Sequence, residues 1–161
     1  MKLAIIRHAH AENLSADGKD SSRKLTEKGQ TQVTDLSEML KKVNFHPDVV
    51  LSSPYVRCAQ TSKGLCQCLG WPEPTFDERL GSHNSFSTVF DAINEYSEIE
   101  NVVVVGHQPY CSELLEAFVS TEKRNAINSF KKAQFTLVET KDLSRPIGKV
   151  IASFAPKGAS T

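Results

Sequence analysis

Three short aliphatic runs constrain this chain more than any other feature: Leu3-Ala4-Ile5-Ile6, Val49-Val50-Leu51 and Val102-Val103-Val104-Val105. They are continuous and do not alternate, which is the pattern of strands buried on both faces, as in a parallel sheet. Helical patterns lie between them. Val33, Leu36, Leu40 and Val43 recur at helical spacing behind Thr26, a natural N-cap. Pro54 suits the first turn of a second helix reaching Leu69, where Gly70 and Pro72 stop it. Phe86, Val89, Phe90 and Ile93 mark a third helix, and Cys111, Leu114, Leu115 and Phe118 a fourth, opened by Pro109. Strands alternating with helices predict an α/β fold: one three-layer domain, with a mostly parallel central sheet and helices on both faces. In the tail, Ala133, Phe135 and Leu137, and again Val150, Ala152 and Phe154, alternate with other residues. Two further strands are expected there, joined through residues 141–148, nearer an edge and antiparallel. Residues 1–155 read as this single domain, with a long polar loop over 9–24 and a flexible end over 156–161.

The 161 residues include 19 Lys plus Arg and 19 Asp plus Glu, for a formal charge of zero. A general nucleic-acid binder needs a basic excess to release counterions from phosphates, so no nucleic-acid partner is expected. No apolar run approaches the roughly 18 residues that span a bilayer. The stretch before Arg7 is too short for the apolar region of about 7–15 residues that a secretory signal requires. The expectation is a cytoplasmic protein without a membrane partner. Cys58, Cys66, Cys68 and Cys111 are then reduced thiols, and Cys66-x-Cys68 lacks the spacing and neighbouring ligands of a zinc site.

Each aliphatic run leads at once into a distinctive polar group. The first ends in Arg7-His8, the second in Ser52-Ser53-Pro54 with Arg57 one turn into the next helix, the third in Gly106-His107. In an open parallel sheet, ligands bind beyond the carboxyl ends of the strands. Two arginines and two histidines from three segments therefore converge on one pocket, and guanidinium forks suit a phosphate. Taken singly, each group has a plainer reading: an exposed strand end, a solvated helix residue, a glycine that ends a strand. Their recurrence in one structural context carries the case.

Arg7-His8-Ala9-His10-Ala11 resembles the Arg-His-Gly motif of the histidine phosphatase superfamily, the phosphoglycerate-mutase-like fold. Leu25-Thr26-x-x-Gly29-x-x-Gln32 is similar to that family's Leu-Thr-x-x-Gly helix start. Ser52-Ser53-Pro54-x-x-Arg57-x-x-Gln60-Thr61 resembles its second arginine motif, and Val105-Gly106-His107-Gln108-Pro109 its second histidine motif. The motifs fall in family order. The short chain, with no large inserted lid, looks most like the bacterial SixA-type phosphohistidine phosphatases. The resemblance implies that His8 is the nucleophile and forms a phosphohistidine intermediate. It implies that Arg7, Arg57 and His107 bind the phosphoryl oxygens, and that neither a metal nor another cofactor is needed. The implied partner is a phosphorylated protein, such as a histidine phosphotransfer domain, or a small phosphate ester. The oligomeric state stays open.

Two departures from the family stand out. Ala9 occupies the usual glycine position, where a methyl narrows the conformational choice. Many members also place a catalytic Glu shortly after a Leu before the third helix, but here the segment reads Phe76-Asp77-Glu78-Arg79-Leu80-Gly81-Ser82-His83. Glu78 is the candidate general acid, with Arg79 a partner for Asp77 or Glu78. An alkoxide leaving group wants a proton from such an acid, whereas a phosphorylated imidazole leaves from a labile P–N bond and can carry its own proton. The absent acid thus favours phosphohistidine.

The remaining features weigh less. His8-x-His10 has a competing metal reading, and His83 is an exposed loop residue with an acid or substrate role as its alternative. His46 is expected in solvent, Cys58 in the core, and Trp71 over the end of the second helix. Two other functions remain in view: a small-molecule phosphomonoesterase or mutase, and a catalytically weak phosphate-binding scaffold, which Ala9 and the absent acid would favour.

Overall fold

The computed structural model describes residues 1–119, 129–141, 143 and 147–161. The three aliphatic runs form strands β1 (Lys2–Arg7), β2 (Val49–Ser52) and β4 (Asn101–Gly106). The two-residue strand β3 (Thr75–Phe76) and the tail strands β5 (Phe135–Thr140) and β6 (Gly148–Phe154) complete one sheet in the order β3-β2-β4-β1-β5-β6. The first four in that order are parallel; β5 runs antiparallel to β1, and β6 antiparallel to β5.

Helices α1 (Glu27–Leu40), α2 (Val56–Leu69), α3 (Phe86–Asn94) and α4 (Tyr110–Phe118) cover both faces. Alternate residues of each strand feed the two cores. Ala4, Ile6, Val103 and Val105 pack with Leu36, Leu40 and Leu65 of α1 and α2. Leu3, Ile5, Val102 and Val104 pack with Val89, Ile93, Leu114 and Phe118 of α3 and α4. This is the three-layer α/β arrangement expected, and Val102–Val105 are wholly buried. Burying an aliphatic side chain of this size stabilises by about 1.5–3 kcal/mol, so these central strands anchor the sheet.

Local signals act as their chemistry predicts. Thr26 caps α1 by accepting from Gly29 N–H, while Gly70, left-handed at φ 65°, ends α2. Trp71 then closes that end, edge-on to Phe45. One feature differs from expectation: β3 carries no apolar run, and it is held by main-chain pairing to β2. The tail strands lie toward one edge and run antiparallel as expected, with β6 outermost and β5 buried through Phe135–Val138. Its alternating polar residue Thr136 is wholly buried and bonded to Ser153 at 2.8 Å. The connection over 141–148 lies partly outside the described residues. Among the described residues, no helix is long and apolar enough to cross a membrane.

Candidate active site

Sheet register brings the motifs together. Arg7 stands beside Gly106, and Ser52 beside Val105, so three strands end at one level. The chain continues in step: His8 N–H donates to the Gly106 carbonyl at 2.9 Å, and Ser53 N–H to the Val105 carbonyl at 3.0 Å. Gly106 is required by packing, because a Cβ there would lie 1.8 Å from the Tyr110 hydroxyl. That hydroxyl passes beneath Gly106 to donate to the Leu80 carbonyl, tying down the loop that opposes the site.

The four predicted side chains His8, Arg57, His107 and Arg7 gather here, and the first three touch. The tautomers follow from partners that can play only one role. His8 Nδ1 lies 2.8 Å from the Ala9 carbonyl, a pure acceptor, so Nδ1 carries the proton. Arg57 Nε, a pure donor, points at His8 Nε2 from 3.3 Å, so Nε2 holds a lone pair. In the same way Arg57 Nη2 donates to His107 Nδ1 at 3.2 Å, and His107 Nε2–H faces Ser53 Oγ at 2.9 Å. Burial, then the nearby His107 and the positive Arg57 and Lys132, outweigh the Ala9 contact and bring His8 down to about 2. Burial and Arg57 bring His107 down to about 3. Both rings are therefore neutral, and His8 Nε2 holds its lone pair toward a guanidinium donor.

Arg7 leaves β1 and donates through Nη1 to the Phe130 carbonyl. Its Nε is buried and has no hydrogen-bond partner among the described residues. An orphaned, positively charged donor fits an incoming anion. The far side of Arg57 is held by Asp20: Nη1 donates to the Asp20 carbonyl at 2.6 Å and Nη2 to its carboxylate at 2.9 Å.

The departures from motif are accommodated differently. Ala9 is wholly buried among core residues, and Ala133 is the one non-glycine with positive φ among the described residues. Ala9 thus has a backbone conformation open to L residues, its amide held by Thr61 Oγ1. Gly29 is needed because a Cβ would lie 2.0 Å from the His10 carbonyl oxygen. Glu78 stands exposed in a short 3-10 turn, and Asp77 takes Arg79, which also reaches Glu95. His10 bonds Thr26 Oγ1. Among the described residues no three His, Cys, Asp or Glu groups gather to hold a metal ion. Cys58 is buried with Sγ 3.4 Å from His107 Nε2, and its thiol is pushed up to about 12 by burial. His83 is exposed and bonded to the Tyr55 hydroxyl at 2.7 Å; the Tyr55 ring in turn packs edge-on to His107. Sequence reasoning missed Asp20, Tyr55, Ser82 and Lys132. None carries a motif, and each reaches the cluster only through the fold.

The neutral histidines have a consequence for stability. In the unfolded chain each imidazole takes up a proton near its ordinary value of 6.5; folded, it resists until about 2 or 3. The unfolded state binds more protons across that window, so stability falls as pH falls. From pH 8 to pH 5 the loss is expected to be about 2 kcal/mol for each ring. Melting curves should fall steadily below pH 6.5, with a shallower slope in His8→Gln. A melting temperature constant from pH 8 to 5 would contradict the assigned neutral rings.

Comparison with known proteins bears on the family and the fold. Residues 3–85 match the histidine phosphatase superfamily, branch 1. An uncharacterised protein of Picosynechococcus sp. is 28% identical over 135 residues, covering 83% of this chain and 81% of that protein. The structure of the protein histidine phosphatase SixA complexed with tungstate has a TM-score of 0.83 at 24% identity, covering 96% of this chain and 97% of that one. A mycobacterial glucosyl-3-phosphoglycerate phosphatase solved with inorganic phosphate is more distant, at TM-score 0.69 and 16% identity, covering 94% and 95%.

Proposed function

The chain belongs to the histidine phosphatase superfamily, and from that membership we propose that it is a phosphatase acting on phosphohistidine in a protein, through a covalent intermediate on His8. The observation that carries the reading is the unprotonated His8 Nε2 facing Arg57, together with an Arg7 Nε that has no partner among the described residues.

The residues suggest the steps. A phosphoryl oxygen takes the Arg57 Nε–H, which frees the Nε2 lone pair. That pair attacks phosphorus in line and forms the N–P bond, while the bond to the leaving group breaks and its electrons depart with it. Nδ1–H stays on the Ala9 carbonyl, so the ring becomes cationic as it is phosphorylated. Arg7 and Arg57 hold the equatorial oxygens, where preorganised donors act most strongly. Water then attacks phosphorus, and the N–P electrons return to Nε2. The guanidinium groups supply the positive charge that a metal ion provides elsewhere.

The leaving group decides the substrate class. Near the reacting centre the carboxylate is Asp20, ionised and paired with Arg57, while Glu78 is exposed. Among the described residues an alkoxide finds no protonated carboxyl beside it, whereas a departing imidazole supplies its own proton. The test compares a phosphorylated histidine phosphotransfer domain, an aryl phosphate and 3-phosphoglycerate under one condition, with EDTA present. The expected order of kcat/KM is phosphohistidine, aryl phosphate, glycerate ester, with Glu78→Gln changing phosphohistidine turnover less than about threefold. If the glycerate ester is the best substrate and Glu78→Gln abolishes its turnover, the small-molecule reading replaces this one.

A further inference from the structure

We propose that Asp20 is a positioning residue that clamps the outer edge of Arg57, so that the inner edge is presented to the phosphoryl group; this rests on the phosphatase reading above. Arg57 is divided between two sets of partners. Nε faces His8 and one side of Nη2 faces His107, at 3.3 and 3.2 Å. Nη1 is held by the Asp20 carbonyl and the other side of Nη2 by the Asp20 carboxylate, at 2.6 and 2.9 Å. One residue thus grips the guanidinium with a main-chain and a side-chain oxygen together.

The clamp is itself braced. Asp20 lies in the 3-10 turn Asp20–Ser22, and its second carboxylate oxygen accepts from Arg23 Nη1 at 2.7 Å. Ser82, from the loop on the other side of the site, donates to the first at 3.3 Å. Arg57 is nearly inaccessible, with 4% of its side chain exposed, against 50% for Asp20. A buried guanidinium between two neutral imidazoles needs a counter-charge, and Asp20 is the acid that pairs with it among the described residues.

Two other roles for this carboxylate make different demands. A proton donor must hold a proton at working pH. Partial burial opposes the charge on Asp20, but contacts from Arg23 and Arg57 overcome it and bring the carboxyl down to about 2. A plug occupying the phosphate position would have to leave before substrate binds. Yet Asp20 grips Arg57 partly through its main chain, and the edge directed at His8 Nε2 is free of it.

A clamp predicts a split between turnover and binding. Asp20→Ala removes a negative charge near an anion site and also loosens Arg57. Turnover of an aryl phosphate should fall about 10–100-fold, the scale of a misplaced catalytic group. Vanadate affinity, measured by calorimetry without turnover, should stay equal or tighten. Asp20→Asn keeps an oxygen for Nη2 and should recover kcat to within about threefold of the parent, still with tight vanadate binding. In an Arg57→Lys background, Asp20→Ala should cost less than about twofold more, since the group it positions is gone.

Unchanged kcat in Asp20→Ala overturns the proposal, and increased kcat shows a plug. Equal losses in Asn and Ala variants, with loss of the alkaline limb of the pH profile, show a proton donor. Multiplying losses in the double variant show a role independent of Arg57. Because Asp20 is half-exposed on a loop, these variants should fold; if Asp20→Ala melts early, the Asn variant and the double-variant comparison at low temperature decide. An inactive parent protein marks failure of the phosphatase reading, whereas an active parent with an unaffected Asp20→Ala marks failure of the clamp.

Discussion

His8→Ala should reduce turnover at least about a thousandfold while leaving vanadate binding within a few-fold of the parent. The expectation follows from how the ring is held. Its Nδ1–H is fixed on the Ala9 carbonyl and its Nε2 is aimed at Arg57, so the imidazole contributes a lone pair in one direction. The arginines that recognise an anion do not depend on it: Arg57 is anchored by Asp20, and Arg7 by the Phe130 carbonyl. Removing the ring deletes the covalent route and spares the binding route. Acid-quench experiments are not suited to the adduct, which is acid-labile. A base quench of the parent enzyme with labelled substrate should instead trap a base-stable phosphoryl group on His8 that is absent from His8→Ala. A phosphoserine or aspartyl phosphate in its place would refute the mechanism.

Arg57→Lys should cost about 2–4 kcal/mol of transition-state stabilisation, roughly 30- to 1000-fold, expressed mainly in kcat. The guanidinium meets His8, His107, the Asp20 carbonyl and one Asp20 carboxylate oxygen at once. An ammonium is a compact point charge and cannot span those directions. Lys retains enough charge to attract a phosphate, so affinity should suffer less than rate. Unchanged kcat with only a raised KM would remove Arg57 from the reacting centre.

The parts of the site legible in the sequence are those where burial and chemistry meet at a strand end. Ile5-Ile6 before Arg7-His8 and Val104-Val105 before Gly106-His107 declare a buried strand and its functional tip together. The parallel register then needs no further information to place the two histidine rings 5.3 Å apart. Asp20 gave no such signal. It sits in a polar stretch that reads as solvated surface, and its partner lies 37 positions away. β3 was equally silent, because two residues held by main-chain pairing need no side-chain pattern. The tail was half legible: the alternation located β5, but the burial of Thr136 depends on a hydroxyl partner, Ser153, that only the folded sheet supplies. The Ala9 departure looked serious against the motif and is mild in the fold, since the backbone there never enters the left-handed region.

The segment leading into β5 has a consequence for when the pocket is assembled. The His8 carbonyl accepts from Ala133 N–H, the Arg7 amide donates to the Gln134 carbonyl, and the Arg7 guanidinium is fixed by Phe130. All four cluster side chains are present by residue 107, but the brace for the first two arrives some 25 residues later in synthesis. A nascent chain still missing that segment would carry all four side chains on an unbraced first strand. The ribosome must therefore deliver residues 130–134 before Arg7 and His8 are braced, and contacts this distant in sequence form late in folding. The tip of the first strand is thus completed from the far side of the sheet, by residues that follow every side chain of the cluster in sequence.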